Sequence, residues 1–158
     1  MVNREEGVKA PVLRFQTFGN FECFIDGQPI RFKYNKTKEM LAYLLDRKGA
    51  MCTNGELMSI LWAEDSDKKK SYLKNLKADL TRVLAQAGLE DVLIKFRGSI
   101  GIATDKVSCD YYDLIDNKEA MLGNYWGEYM NQYSWSELTH AYLEDYYNLE
   151  SKKSTDNK

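Results

Sequence analysis

Two hydrophobic periods divide the chain. Val12 to Phe18 and Phe21 to Ile25 alternate apolar and polar side chains, as half-buried strands do, and Gly19-Asn20 supplies the turn between them. Asp26-Gly27 is a second turn and Pro29 to Phe32 a third short strand, so a small antiparallel sheet is expected at the amino end. From Lys36 to Lys48 the period becomes helical, with Met40, Leu41, Leu44 and Leu45 on one face and Gly49 as a stop. Thr53-Asn-Gly-Glu56 matches a capping box and opens a second helix, Asn54 to Trp62, with Leu57, Ile60 and Leu61 inward. After an acidic connector, Ala63 to Ser66, a longer helix is expected from Asp67 to Gln86, ended by Gly88. Its apolar stripe is Leu73, Leu76, Leu80, Val83 and Leu84. Val92 to Phe96 and Ile100 to Ala103 read as two strands around Arg97-Gly98-Ser99, a hairpin with a cationic tip.

The pattern changes again beyond Cys109. Asp113 to Ala120 reads as a short helix, and Ser134-x-x-Glu137 as a second capping box. The helix it opens carries Trp135, Leu138, Tyr142, Tyr146 and Leu149 on one stripe, expected to fold back onto the preceding domain because free aromatic stripes of that size are rare on monomers. The expected organisation is α+β: a linker at 1–11, a domain at 12–110, a helical extension at 111–150 and a disordered tail at 151–158.

Charge changes the reading of the long helix. The net charge of −2 does not suggest a nucleic-acid partner, but its distribution does. Asp110 to Glu150 holds nine acids and one lysine, a balance of −8, and the residues after it hold three lysines and one Asp, +2; Met1 to Cys109 therefore carries +4. Asp67 to Arg82 alone holds six cations and two anions. Opposite its apolar stripe lie Lys70, Ser71, Lys74, Asn75, Ala78 and Thr81, with Lys77 and Arg82 on the flanks and Lys69 at the amino end. An apolar back and a basic, amide-bearing front suit a groove of double-stranded DNA: lysines attract phosphate, and Asn can pair with adenine through two hydrogen bonds. A solvated surface helix is the plain alternative.

Other chemistry is sparse. Cys23, Cys52 and Cys109 are far apart and odd in number, which argues against a disulfide framework or a structural zinc and for buried thiols in a reducing cytoplasm. His140 is the single histidine, with no second His or Cys at ligand spacing, and reads as a surface residue. Glu144 and Asp145 diverge by about 100° on a helix and cannot share a proton, and Ser134 and Ser136 have no plausible base. Gly98-Ser-Ile-Gly101 lies between strands, so it is not a phosphate loop. The expectation is no enzyme, no metal and no cofactor. No apolar run approaches the ~20 residues of a membrane span, and the polar start is no secretory signal.

Sheet, three helices and hairpin, in that order, make a winged helix-turn-helix. Residues 12–113 resemble the OmpR-type DNA-binding domain, in the version found in antibiotic-regulatory (SARP-type) activators and response regulators built like them. The matching features are Phe18-Gly19-x-Phe21, Asp26-Gly27-x-Pro29, Lys38-Glu39-x-Leu41, Glu56-Leu57…Leu61-Trp62, Arg97-Gly98-Ser99-Ile100-Gly101 and Cys109-Asp110-Tyr-Tyr-Asp113. The family usually has Leu-Arg-x-x-Leu late in the long helix; here Leu80-Thr-Arg-Val-Leu84 moves the arginine by one position. The resemblance implies that the long helix is the recognition helix and that Arg97 and Ser99 lie on a DNA-contacting wing. It also implies a connector, Ala63 to Asp67, able to touch RNA polymerase, and a weak homodimer on DNA. Residues 123–150 resemble the first element of the helical-repeat activation domain of SARP-type proteins; a repeat array needs about three units, so a truncated or reduced member is expected. The implied function is that of a DNA-binding transcriptional regulator, the output module of a bacterial two-component system, whose phosphorylatable receiver lies outside this chain. A protein-interaction module using the aromatic carboxy-terminal helix is the second reading.

Overall fold

The structure is a computed structural model and describes residues 12–63, 68–116 and 122–156. Its first half runs β1 (Leu13–Gln16), β2 (Glu22–Ile25), β3 (Gln28–Pro29), α1 (Asn35–Asp46), β4 (Cys52–Thr53), α2 (Asn54–Leu61) and α3 (Lys69–Gln86). The second half runs β5 (Leu93–Phe96), β6 (Ser99–Ile102), β7 (Ser108–Cys109), α4 (Asp110–Asp116) and α5 (Glu137–Asp156), with single 3-10 turns at Glu90–Val92, Thr104–Lys106, Leu122–Asn124 and Ser134–Ser136. This is an α+β winged helix. The amino-terminal sheet has the order β3-β2-β1-β7, and the second sheet β4-β6-β5.

Each sheet holds one strand more than the sequence pattern suggests. β7 joins β1 in parallel, through Arg14 opposite Ser108 and Phe15 opposite Cys109, so the first sheet is mixed rather than purely antiparallel. β4 pairs with β6 and makes the wing three-stranded. Asp26 and Gly27 both take positive φ, 51° and 80°, as a two-residue hairpin turn matched to strand twist requires. The wing turn is also two residues long, because Phe96 pairs with Ser99. Gly98 takes φ +79°, and Ser99 belongs to strand β6 rather than to the tip.

The helices obey their leucine stripes. Leu41, Leu44, Leu57, Leu61, Leu73, Leu76 and Leu80 are all at most 3% exposed and share one core with Ile100 and Ile102 of the wing. Thr53 caps α2, its Oγ1 accepting from the Glu56 N–H at 3.1 Å. The Glu56 side chain closes no reciprocal bond; it accepts from the Tyr43 hydroxyl and pairs with Arg47 at 3.3 Å. The three thiols are free and buried, and burial pushes those of Cys23 and Cys109 up to about 12 and that of Cys52 to about 11.

Two buried carboxylates join elements distant in sequence. Asp110 accepts from the N–H of Thr17 (2.8 Å), Phe18 (3.0 Å) and Tyr111 (2.9 Å) and from the Thr17 hydroxyl. It thereby ties the end of β1 to the start of α4. Asp79 of α3 accepts from the N–H of Lys33 (2.9 Å) and Tyr34 (3.2 Å) and from the Thr37 hydroxyl (2.8 Å), and it pairs with Arg82 (2.7 Å). α1 has no side-chain cap of its own at Tyr34, so a carboxylate from α3 meets the positive end of its dipole.

The extension docks on the β1–β2 turn. Gly19 donates to Glu128 O and accepts from Asn131 N–H, both at 3.0 Å, and the Gln132 amide bonds both backbone groups of Phe21. A Cβ on Gly19 would come within 2.7 Å of the Trp126 ring, so the close approach needs glycine there. The expected capping box at Ser134 does not form. Ser134–Ser136 is a 3-10 turn, α5 starts at Glu137, and the Ser136 hydroxyl is held by the carbonyls of Tyr129, Met130 and Tyr133. α5 folds back on the domain, and of the expected stripe only Trp135 and Tyr146 take part. Leu143 is fully buried, Tyr147 packs on Tyr125 (5.5 Å), and the Tyr146 hydroxyl points to Leu114 O, whereas Leu138, Tyr142 and Leu149 are exposed. Trp135 stacks on Tyr133 and donates to Glu39 of α1 at 3.0 Å. α5 continues to Asp156, so residues 151–156 of the expected tail are helical. α4 starts at Asp110, three residues before the short helix expected there, and residues 117–120 of that helix lie outside the described residues, as do the 1–11 linker, residues 64–66 of the acidic connector and Asp67, the expected start of the long helix.

Candidate nucleic-acid interface

α2 and α3 form the helix pair, and the wing stands beside α3. On α3, Lys70, Ser71, Lys74, Asn75 and Ala78 are all exposed, opposite buried Leu73, Leu76, Leu80 and Leu84. Lys70 and Lys74 are one turn apart, as are Ser71 and Asn75, so four polar side chains form one patch on the amino-terminal half. Lys70 and Lys74 also border a cleft toward α2, lined by Asn54, Met58, Leu73 and Lys77. Asn75 borders a different groove, with Tyr34, Lys36, Trp62, Tyr72 and Leu76. The patch is therefore a crest between two depressions.

The remaining sequence candidates are placed differently. Lys69 is half-buried at the first turn of α3. Lys77 is half-buried, and its ammonium donates to the Asn54 side-chain oxygen; burial, then the nearby Lys95 ammonium, hold its pKa below the ordinary lysine value. Arg82 is turned along the helix to Asp79 and Gln86. Arg97 is exposed at the wing turn, while Ser99 is half-buried in β6, in register with Thr53 of β4. Lys95, Asn54 and Phe96 lie in the same region and escape the sequence reading. Lys95 donates to the Thr81 hydroxyl of α3 at 2.5 Å, and Phe96, 68% exposed, stands beside the wing turn. The alternation of the strand was the available signal: Ile94 and Phe96 fall on one face and Lys95 on the other, toward α3.

The electrostatics follow from burial. α3 holds Lys69, Lys70, Lys74, Lys77 and Arg82 and a single acid, Asp79, which is 4% exposed and points at α1. Its carboxyl is penalised by burial, but Arg82, Thr37 and the Tyr34 and Lys33 N–H groups outweigh that penalty and hold its pKa below the usual carboxylate value. The solvent face of α3 thus presents cations with no anion among them. The acids of the extension lie elsewhere; His140 there is half-buried, its Nε2 2.7 Å from Gly127 O and 3.5 Å from Glu144. Among the described residues no group of His, Cys, Asp or Glu is arranged to hold a metal ion, and no helix is long and apolar enough to cross a membrane.

No family model and no curated protein matches the sequence. Among solved structures, EmbR of Mycobacterium tuberculosis, in complex with a low-affinity phosphopeptide, superposes with a TM-score of 0.76 at 18% identity. The match covers 89% of this chain and 44% of that one, so this chain spans less than half of that protein's length. At this identity the likeness is one of fold, and its 89% coverage takes in more of this chain than residues 12–113.

Proposed function

We propose that the protein is a sequence-specific DNA-binding transcriptional regulator of the SARP/OmpR type, and that it serves as the output module of a bacterial response regulator. One observation carries this reading: the exposed face of α3 holds lysines, a serine and an asparagine, while its one acid is buried on the other side. Double-stranded DNA is the partner, bound in the cytoplasm without metal or cofactor, as a weak homodimer, and the protein is not an enzyme. RNA polymerase is the second partner, met by the connector. The likeness of fold to EmbR supports the winged-helix scaffold on which this reading rests. The interaction-module reading loses ground because Trp135, Tyr146 and Tyr147 are spent on the internal dock, leaving Leu138, Tyr142 and Leu149 outside.

At about 1.5 Å per residue, α3 is longer than the ~12 Å width of the major groove, so only part of it reaches base edges. In this reading that part is Lys70, Ser71, Lys74 and Asn75. Fragments selected from random duplex DNA should converge on one site, and binding to it should weaken steeply with salt. Asn75→Ala should cost about 1–3 kcal/mol at one base pair and relax the preference there. Lys74→Ala should lower the salt slope by about one unit and keep the preference. Affinity and preference unchanged in both variants would move the interaction-module reading to first place.

The wing makes a separate prediction. The Arg97 guanidinium projects from the hairpin bend, where it can grip a phosphate through two parallel hydrogen bonds. Arg97→Ala should weaken cognate and scrambled duplexes about equally. A loss confined to the cognate site would make Arg97 a reader of bases.

A further inference from the structure

The junction of α2, α3 and the wing holds an arrangement that a merely structural role leaves unexplained. The wing turn is stitched to α2: Asn54 N–H donates to Gly98 O at 3.0 Å, and Thr53 pairs with Ser99. From α3, the Lys77 ammonium reaches the Asn54 side-chain oxygen. From β5, the Lys95 ammonium reaches the Thr81 hydroxyl, which itself donates to Lys77 O one turn back at 2.7 Å. Asn54 and Thr81 are neutral, and neither lysine has a carboxylate partner among the described residues. Glu56, the acid on the first turn of α2, is engaged with Tyr43 and Arg47. Lys70 and Lys74 add two more cations along the same cleft.

The Lys77 pKa is lowered by burial and then by the Lys95 ammonium, so the two charges feel and repel each other, more strongly because Lys77 is half-buried. A protein needing only the two hydrogen bonds could use glutamine at both positions. An anion is the group that two ammonium groups held on neutral oxygens can receive.

We propose that Lys77 and Lys95, positioned by Asn54 and Thr81, form a clamp for a single phosphate group, supplied in the DNA complex by one backbone phosphodiester at the junction of recognition helix and wing. The proposal rests on the DNA-binding reading and adds two things to it. It places Lys95 in the interface, and it makes the two lysines act on the same phosphate. Because they come from different elements, the clamp also fixes the wing against α3 when DNA is bound. A free phosphate ion has the same chemistry, and the test separates the two sources.

The experiment uses the full chain and the Lys77→Gln, Lys95→Gln and double variants. Glutamine can still donate to Asn54 and Thr81 but carries no charge. Each single variant should lower the salt slope of duplex binding by about one unit, equally for cognate and scrambled DNA. The double variant should lose little more than either single one, because the phosphate is shared. Lys77→Arg, which keeps the charge, should keep the slope; Lys106→Gln, whose lysine pairs with Asp91 at 2.7 Å, should change nothing. Single variants that bind like the parent protein, or additive losses in the double variant, overturn the clamp and leave the regulator reading standing. If the parent protein binds no duplex, the regulator reading fails, and the ammonium resonances of Lys77 and Lys95 followed against inorganic phosphate decide the clamp alone. Shifts confined to those two would sustain it as a free-ion site; none would end it.

Discussion

Leu76→Ala is expected to lower the unfolding free energy by about 2–5 kcal/mol, read from urea transitions. Leu76 is 3% exposed and belongs to the core that α3 shares with α1 and α2. Truncation removes three carbons from a site whose neighbours are fixed by three helices, so the space closes only partly. Leu138→Ala removes the same atoms from a side chain 86% exposed and should move the transition little. The pair tests the placement of two leucines that look alike in sequence: equal effects would refute the docking of α3, of α5 or of both. In the DNA-binding reading, duplex affinity of the Leu76 variant at a temperature where it is folded should fall less than its stability, because the lost carbons face away from the exposed patch.

What the sequence made legible was whatever repeats locally. The leucine stripes of α1, α2 and α3, the cap at Thr53 and the glycine turns of both hairpins depend on neighbours within a few positions, and the structure keeps them. The two-residue strands β4 and β7 were illegible because their pairing partners are tens of residues away and two residues show no period. The α5 stripe failed for a subtler reason. Leu138-Tyr142-Tyr146-Leu149 and Leu143-Tyr146-Tyr147 interleave at helical spacing and share Tyr146, so periodicity alone cannot choose between them. Tyr125 and Leu114 make the choice, by receiving Tyr147 and Tyr146. The exposed half of the candidate patch was legible as the face opposite the leucines. The engaged part was not: half-buried Lys77 and exposed Arg82 both read as free surface cations, yet one is taken by Asn54 and the other by Asp79.

Asp79 was the least legible residue of all, an acid within a basic helix, and its replacement carries the largest expected loss. Asp79→Ala leaves the N–H groups of Lys33 and Tyr34 and the Thr37 hydroxyl without their acceptor, at the positive end of α1. Each buried donor left unsatisfied costs about 1–3 kcal/mol, and three lose their acceptor at once. Arg82→Ala should cost less, because Asp79 keeps its three other donors and the Arg82 side chain, 47% exposed, is screened by water. The dependence on pH identifies the source. The folded pKa of Asp79 lies below its unfolded value of about 3.9, so its contribution is complete above that pH and is lost as pH falls through the folded value. Asp79→Asn lacks the charge at every pH. The gap in urea midpoint between the parent protein and this variant should therefore be wide at neutral pH and narrow in acid. A gap of constant width would mean that shape, and not charge, is what α1 takes from Asp79. In the DNA-binding reading, the same variant should bind duplex DNA more weakly when folded, since Asp79 fixes the roll of α3 against α1 and thus the direction in which Lys74 and Asn75 face.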